Sequence, residues 1–145
     1  MPEIKGTFEI GRPVEEVSSY LSEPKNRPKW ESGVEVDELM TEGPIGVGSK
    51  GRRVENYFGR DEEFWEVTEW KPNELMAFKV ESDKFIGDGE WRTEPTDGGT
   101  RLTYRFGGSL KNPFLKLLMP LMLPMVNRRT KKGTQKLKEI LESRS

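Results

Sequence analysis

FIGDGEWRTEPTDGGTRLTYRF, residues 85–106, reads as two strands folded back on each other. Phe85, Gly87, Gly89 and Trp91 alternate with Ile86, Asp88, Glu90 and Arg92, and Leu102, Tyr104 and Phe106 oppose Arg101, Thr103 and Arg105. Apolar or small residues at every second position, with charges between them, mark strands that bury one face. Asp97-Gly98-Gly99 supplies the backbone freedom of a tight turn. Strands joined by so short a connection pair antiparallel.

The same period runs upstream. Strand-like runs fall at 34–42, 49–58, 61–71, 74–81, 84–94 and 99–108, separated by GPIGVG (43–48), Gly59-Arg60-Asp61, Lys71-Pro72-Asn73 and Ser82-Asp83. Six short strands with tight connections predict an antiparallel meander. EIKGTFEI (3–10) is a further half-buried strand. Pro13 then opens a short helix, PVEEVSSYLS, while Pro24 and Pro28 keep a second helix before Trp30 short and irregular. At the other end Asn112 and Pro113 are an N-cap and first helical residue. Beyond them Leu115, Met119, Met122, Val126, Thr130, Gly133, Leu137 and Ile140 form one helical stripe that should lie on the sheet. Phe114, Leu117, Leu118, Leu121 and Met125 widen its apolar arc, and Pro120 and Pro124 fall on the solvent side, where each removes a helical hydrogen bond.

Composition excludes whole classes of chemistry. The 145 residues include no cysteine and no histidine, so disulfides, thiolate nucleophiles, imidazole bases and Cys- or His-ligated metals are absent. The length predicts one domain, 1–145, with a core built on 7 Phe, 4 Trp and 3 Tyr. Net charge is −1, yet residues 111–145 carry nine basic and two acidic side chains. This reads as a solvated helix balancing an acidic body, with no nucleic-acid partner. MPEIKGTFEI lacks the pattern of a signal peptide, and the apolar stretch Phe114 to Val126 is too short to span a bilayer, so the expected location is cytoplasmic.

The order strand, two short helices, six antiparallel strands and long terminal helix resembles the START-related, Bet v 1-like (SRPBCC) superfamily, in particular small polyketide cyclase/dehydrase-like proteins. The stretches that carry the likeness are FEIGRPVEEVSSYLSEPKNRPKWES (8–32), TEGPIGVGSKGR (41–52), EVTEWKPNELMAF (66–78) and EPTDGGTRLTYRF (94–106), with the terminal helix. The resemblance implies an α+β helix-grip fold: a curved seven-stranded antiparallel sheet around the C-terminal helix, in the order β-α-α-β-β-β-β-β-β-α. It also implies an elongated cavity between sheet and helix, and it transfers no catalytic motif.

Gly46-Val47-Gly48-Ser49-Lys50-Gly51 has the spacing G-x-G-x-x-G, but strand-like sequence follows it where a dinucleotide site needs a helix. It reads as a glycine-rich turn near a cavity mouth. Alternation and the resemblance together direct Phe8, Trp65, Phe85, Trp91, Tyr104 and Phe106 toward the helix, and Trp30 ends the short helical segment against one end of the sheet; with Phe78, and Leu118, Met119, Met122 and Val126 from the helix, they are the expected pocket residues. Gly87 and Gly89 leave volume beside Trp91, and flexible methionines suit a wall for apolar ligands. Tyr104 is the polar candidate within that wall. On the strand 49–58, Arg53, Glu55 and Tyr57 share one face and Arg52, Val54, Asn56 and Phe58 the other, and sequence alone leaves open which looks inward. Asp61, Glu62 and Glu63 read as solvated turn charge, and no carboxylate pair carries a catalytic assignment.

The first expectation is a protein that binds or carries a hydrophobic small molecule, a lipid, isoprenoid or polyketide-like compound, with no cofactor and no metal. A cofactor-independent cyclase or dehydratase is the alternative, and would need burial to tune a carboxyl or a lysine. The second alternative is a peripheral membrane or homodimer contact through Phe114, Leu117, Leu118 and Leu121 with Arg128, Arg129, Lys131 and Lys132.

Overall fold

The computed structural model describes residues 3–57 and 59–144. The elements are β1 (Glu3–Ile10), α1 (Val14–Ser22), a 3-10 turn (Pro24–Asn26), α2 (Arg27–Trp30), β2 (Val34–Leu39), β3 (Lys50–Asn56), β4 (Arg60–Lys71), β5 (Leu75–Glu81), β6 (Phe85–Thr96), β7 (Gly99–Leu110) and α3 (Pro113–Glu142). All seven strands form one antiparallel sheet in the order β1-β7-β6-β5-β4-β3-β2. The meander expected from period-two alternation is therefore complete, with β1 closing onto β7. Phe58, the last residue of the run read as a strand over 49–58, lies outside the described residues.

Local chemistry sets the bends. The β6–β7 hairpin turns on Asp97-Gly98, with Thr96 opposite Gly99. Gly99 has φ 152°, and a Cβ there would strike the carbonyl of Ile10, so the position excludes a side chain. Register shifts in β2 at Val34/Val36 and in β4 at Val67/Glu69 are bulges, which bend strands and sharpen twist. The curved sheet grips α3 in the helix-grip arrangement.

Two halves of α3 meet that sheet differently. The helix is about 45 Å long at 1.5 Å per residue. Asn112 caps it, its Oδ1 accepting from the backbone N–H groups of Phe114 (2.9 Å) and Leu115 (3.3 Å). Its C-terminal half is sealed: Gly133, Thr134, Leu137 and Leu141 are buried. That half shares a core with Ile10, Val17, Tyr20, Trp30 and Leu102. Gly11 N–H donates to Glu142 (2.7 Å), Arg12 to the Arg144 carbonyl (2.9 Å) and Lys138 to the Glu9 carbonyl (2.9 Å). In the N-terminal half no comparable seal forms. Phe114, Leu117 and Leu121 are 71–79% exposed on its outer side, and Leu115, expected on the sheet, is 38% exposed. No described helix is long and apolar enough to cross a membrane.

Candidate functional site

A cavity of about 240 Å³ lies under the N-terminal half of α3. Its apolar end is made by Phe78 and Val80 of β5, Phe85 of β6, Phe106 and Leu110 of β7, and Met119, Met122, Leu123 and Val126 of α3. The side formed by α2, β3 and β4 is charged: Arg27, Glu31, Arg53, Glu55, Tyr57, Asp61 and Glu63, with Lys84 at the margin, while Asp88 lines the cavity from β6.

The charged end is an ordered network laid across three strands. Register sets Asp37 opposite Arg53 and Arg53 opposite Glu63 in one row, with Glu55 opposite Asp61 in the next. Arg53 Nε donates to Asp37 at 3.2 Å and its guanidinium lies 3.8 Å from Glu63. Asp37 also accepts from Trp65 Nε1 at 2.7 Å. Arg27 grips both oxygens of Glu31, at 3.1 and 3.2 Å. Asp61 accepts from the Ser82 hydroxyl at 2.6 Å. Among the described residues Glu55 accepts one bond, 3.0 Å from the backbone N–H of Tyr57.

These partners divide the carboxyls. Burial pushes Glu31 upward, but Arg27, Arg53 and the Tyr57 hydroxyl outweigh it and hold Glu31 below the usual carboxylate range. Burial also opposes the charge on Arg53, and Asp37, Glu63 and Glu31 overcome it, so the guanidinium stays protonated. Glu63 is raised, by burial first, with Arg53 opposing and Asp61 and Glu31 adding to the rise. Glu55 has no such counterweight. Burial, then the neighbouring Glu63 and Asp61, push it up to about 7. In a chain without histidine this carboxyl titrates near neutrality.

Residues 1–142 match the family described as polyketide cyclase/dehydrase and lipid transport. The chain belongs to that family. Solved structures agree on the START-like fold. TTHA0849 from Thermus thermophilus superposes with a TM-score of 0.79 at 23% identity, covering 98% of each chain. The Zhui aromatase/cyclase from Streptomyces sp. R1128 gives 0.79 at 14% identity, over 97% of this chain and 93% of that one. A START superfamily protein from Mycobacterium smegmatis gives 0.73 at 18%, over 97% and 94%. No protein with a curated description matches the sequence. Membership of the polyketide cyclase/dehydrase family supports a hydrophobic-ligand or cyclase role.

Within this family member, the twelve residues read from sequence as pocket wall separate into two groups. Phe78, Phe85, Phe106, Met119, Met122 and Val126 line the cavity. Phe8, Trp30, Trp65, Trp91, Tyr104 and Leu118 do not. Trp30 of α2 packs with Phe8, Trp91 and Tyr104 in the core shared with Leu137 and Leu141 of the sealed half of α3. There Trp30 meets Trp91 edge-on at 5.6 Å, and the Tyr104 ring covers Gly6. Trp65 is drawn to the β2–β4 side, where its ring covers Gly51 and its indole N–H holds Asp37. Leu118 points outward at 38% exposure. Nor do Gly87 and Gly89 leave volume: Phe85 lies over Gly87, and Phe106 and Phe78 lie over Gly89. The glycine-rich turn at 46–48 is away from the cavity, whose charged end instead includes Gly59, Asp61 and Lys84.

Sequence reasoning left the face carrying Glu55 undecided and missed Asp61, Glu63, Arg27 and Glu31. One signal pointed at them: Arg53, Glu55 and Tyr57 share a face, and a hairpin at Gly59 folds Asp61 and Glu63 back onto that face. Glu55 also gives a test. A carboxyl raised in the folded protein binds protons that the unfolded chain releases, so stability is lost as pH rises from the ordinary carboxylate range through about 7. Glu55→Gln is expected to leave acid stability unchanged and to stabilise the protein above neutrality by about 1–2 kcal/mol, discounted for cavity water. Urea unfolding at acid and alkaline pH checks it; an equal effect at both would refute the raised carboxyl.

Proposed function

We propose that the chain binds a hydrophobic small molecule in this cavity and acts as a carrier or sequestering protein for a lipid, isoprenoid or polyketide-like compound. The observation that carries the reading is a cavity of about 240 Å³ walled at one end by Phe, Met, Leu and Val. For comparison, an engineered apolar cavity of about 150 Å³ takes up benzene. Family membership supports the same reading. Glu55 favours a second one, cyclase or dehydratase chemistry, because a carboxyl titrating near 7 is suited to proton transfer.

Native mass spectrometry of protein purified without detergent, followed by solvent extraction, tests the binding reading. Calorimetry with 2-naphthylmethanol as a neutral probe complements it. A stoichiometric apolar adduct or saturable probe binding is expected. Met122→Trp fills the cavity from α3, and should weaken the probe about tenfold or more while changing stability by about 1–3 kcal/mol. No adduct and no probe binding by the wild type would overturn the reading. So would a Met122→Trp variant that binds as well as the wild type.

A further inference from the structure

We propose that the cavity selects a lipophilic amine: an aromatic or aliphatic body against Phe78, Phe106 and Met122, with its protonated nitrogen at Glu55. The inference rests on the binding reading above and adds the chemistry of the ligand's polar end.

Charge pairing at the charged end leaves acceptors in surplus. Arg27 is committed to Glu31. Arg53 is committed to Asp37 and reaches Glu63 only at 3.8 Å. Asp88 is paired with Arg105 at 3.4 Å. Lys84 is exposed at the margin and donates to the Arg60 carbonyl at 3.3 Å. From α3, Arg129 lies over the Tyr57 ring at 5.3 Å and donates to the Asn56 and Tyr57 carbonyls. Among the described residues neither Glu55 nor Asp61 has a basic partner. Yet Glu55 is only 8% exposed and lines the cavity, and one of its two oxygens accepts no hydrogen bond from the described residues. Carboxylate oxygens of Glu55, Asp61 and Glu63 lie within 4.8 Å of one another.

An ammonium group answers this arrangement. It carries three N–H donors and a full positive charge, enough to engage several carboxylates together. A hydroxyl offers one donor, and an anionic ligand meets like charge. A hydrated metal ion would gain nothing from the apolar wall that makes up the rest of the cavity. An organic ammonium uses both ends.

Calorimetry at neutral pH with 2-naphthylmethylamine, 2-naphthylmethanol and 2-naphthoate separates the possibilities on one hydrocarbon frame. The amine should bind about tenfold more tightly than the alcohol, and naphthoate most weakly. Glu55→Gln should remove the amine's advantage, bringing amine and alcohol to within about threefold of each other. Equal affinity for amine and alcohol in the wild type would overturn this inference and leave the binding reading standing. An amine preference that survives Glu55→Gln would do the same. Calcium or magnesium chloride binding alone and displacing the amine would assign the cluster to a metal and overturn it too. If none of the three probes binds, this inference fails, and the binding reading fails with it when the purified protein also carries no apolar adduct.

Discussion

Arg53→Met is expected to lower the unfolding free energy at neutral pH by about 3–5 kcal/mol, because it strands Asp37 and Glu63 as buried carboxylates without their cation. Methionine keeps much of the arginine's length and apolar stem, so the loss measures charge and hydrogen bonding more than volume. Two further measurements separate this cause from general damage. First, the loss should shrink on acidification, since a protonated carboxyl needs no cation. Second, Asp37→Asn should restore about 1–3 kcal/mol in the Arg53→Met background while destabilising the wild type. Asparagine still offers an oxygen to the Trp65 indole N–H, which bonds Asp37 at 2.7 Å, so the repair does not orphan that donor. A loss independent of pH, with no rescue by Asp37→Asn, would show that Arg53 acts by packing alone.

The same network shows where the sequence could be read and where it could not. Alternation of apolar and charged residues located every strand, because a half-exposed sheet obeys a period of two and the hairpin turns carry Gly, Asn and Asp. The cap at Asn112 was equally legible, since it depends only on neighbours along the chain. Arg53, Glu55 and Tyr57 obey the same alternation but with charged residues on the inward face, so the rule that assigns charge to solvent gave no direction. Burial of Arg53 and Tyr57 is tolerated because partners arrive from β2, β4 and the end of α2. Those partners depend on register and docking, which no local pattern encodes. Five of the eight aromatic residues expected at the pocket lie away from the cavity for a related reason, while Phe78, Phe85 and Phe106 line it. Trp65 and Tyr104 face glycines across the sheet, at Gly51 and Gly6, so their rings lie flat over bare backbone away from the cavity. Alternation assigns a face; it does not say whether the helix above that face is sealed or lifted.

Trp91→Ala tests that division of the fold. Trp91 is 3% exposed and touches Trp30 at 5.6 Å, Tyr104 at 5.7 Å and Phe106 at 5.0 Å. Truncation should cost about 3–5 kcal/mol in urea unfolding, the range for a large aromatic removed from a packed core. Trp91→Phe should cost far less, about 1–2 kcal/mol. It keeps a ring for Trp30 and Phe106, and it deletes an indole N–H that is buried without an acceptor among the described residues. The functional consequence runs through Phe106, which belongs both to this cluster and to the cavity wall. Losing Trp91 removes the ring that backs Phe106, so the neutral naphthyl probe should bind several-fold more weakly to Trp91→Ala even where the variant is fully folded. Trp91→Phe should bind it nearly as well as the wild type. If Trp91→Ala lost stability but bound the probe normally, the sealed core and the cavity would be mechanically independent. The aromatic cluster would then support the sheet without shaping the site.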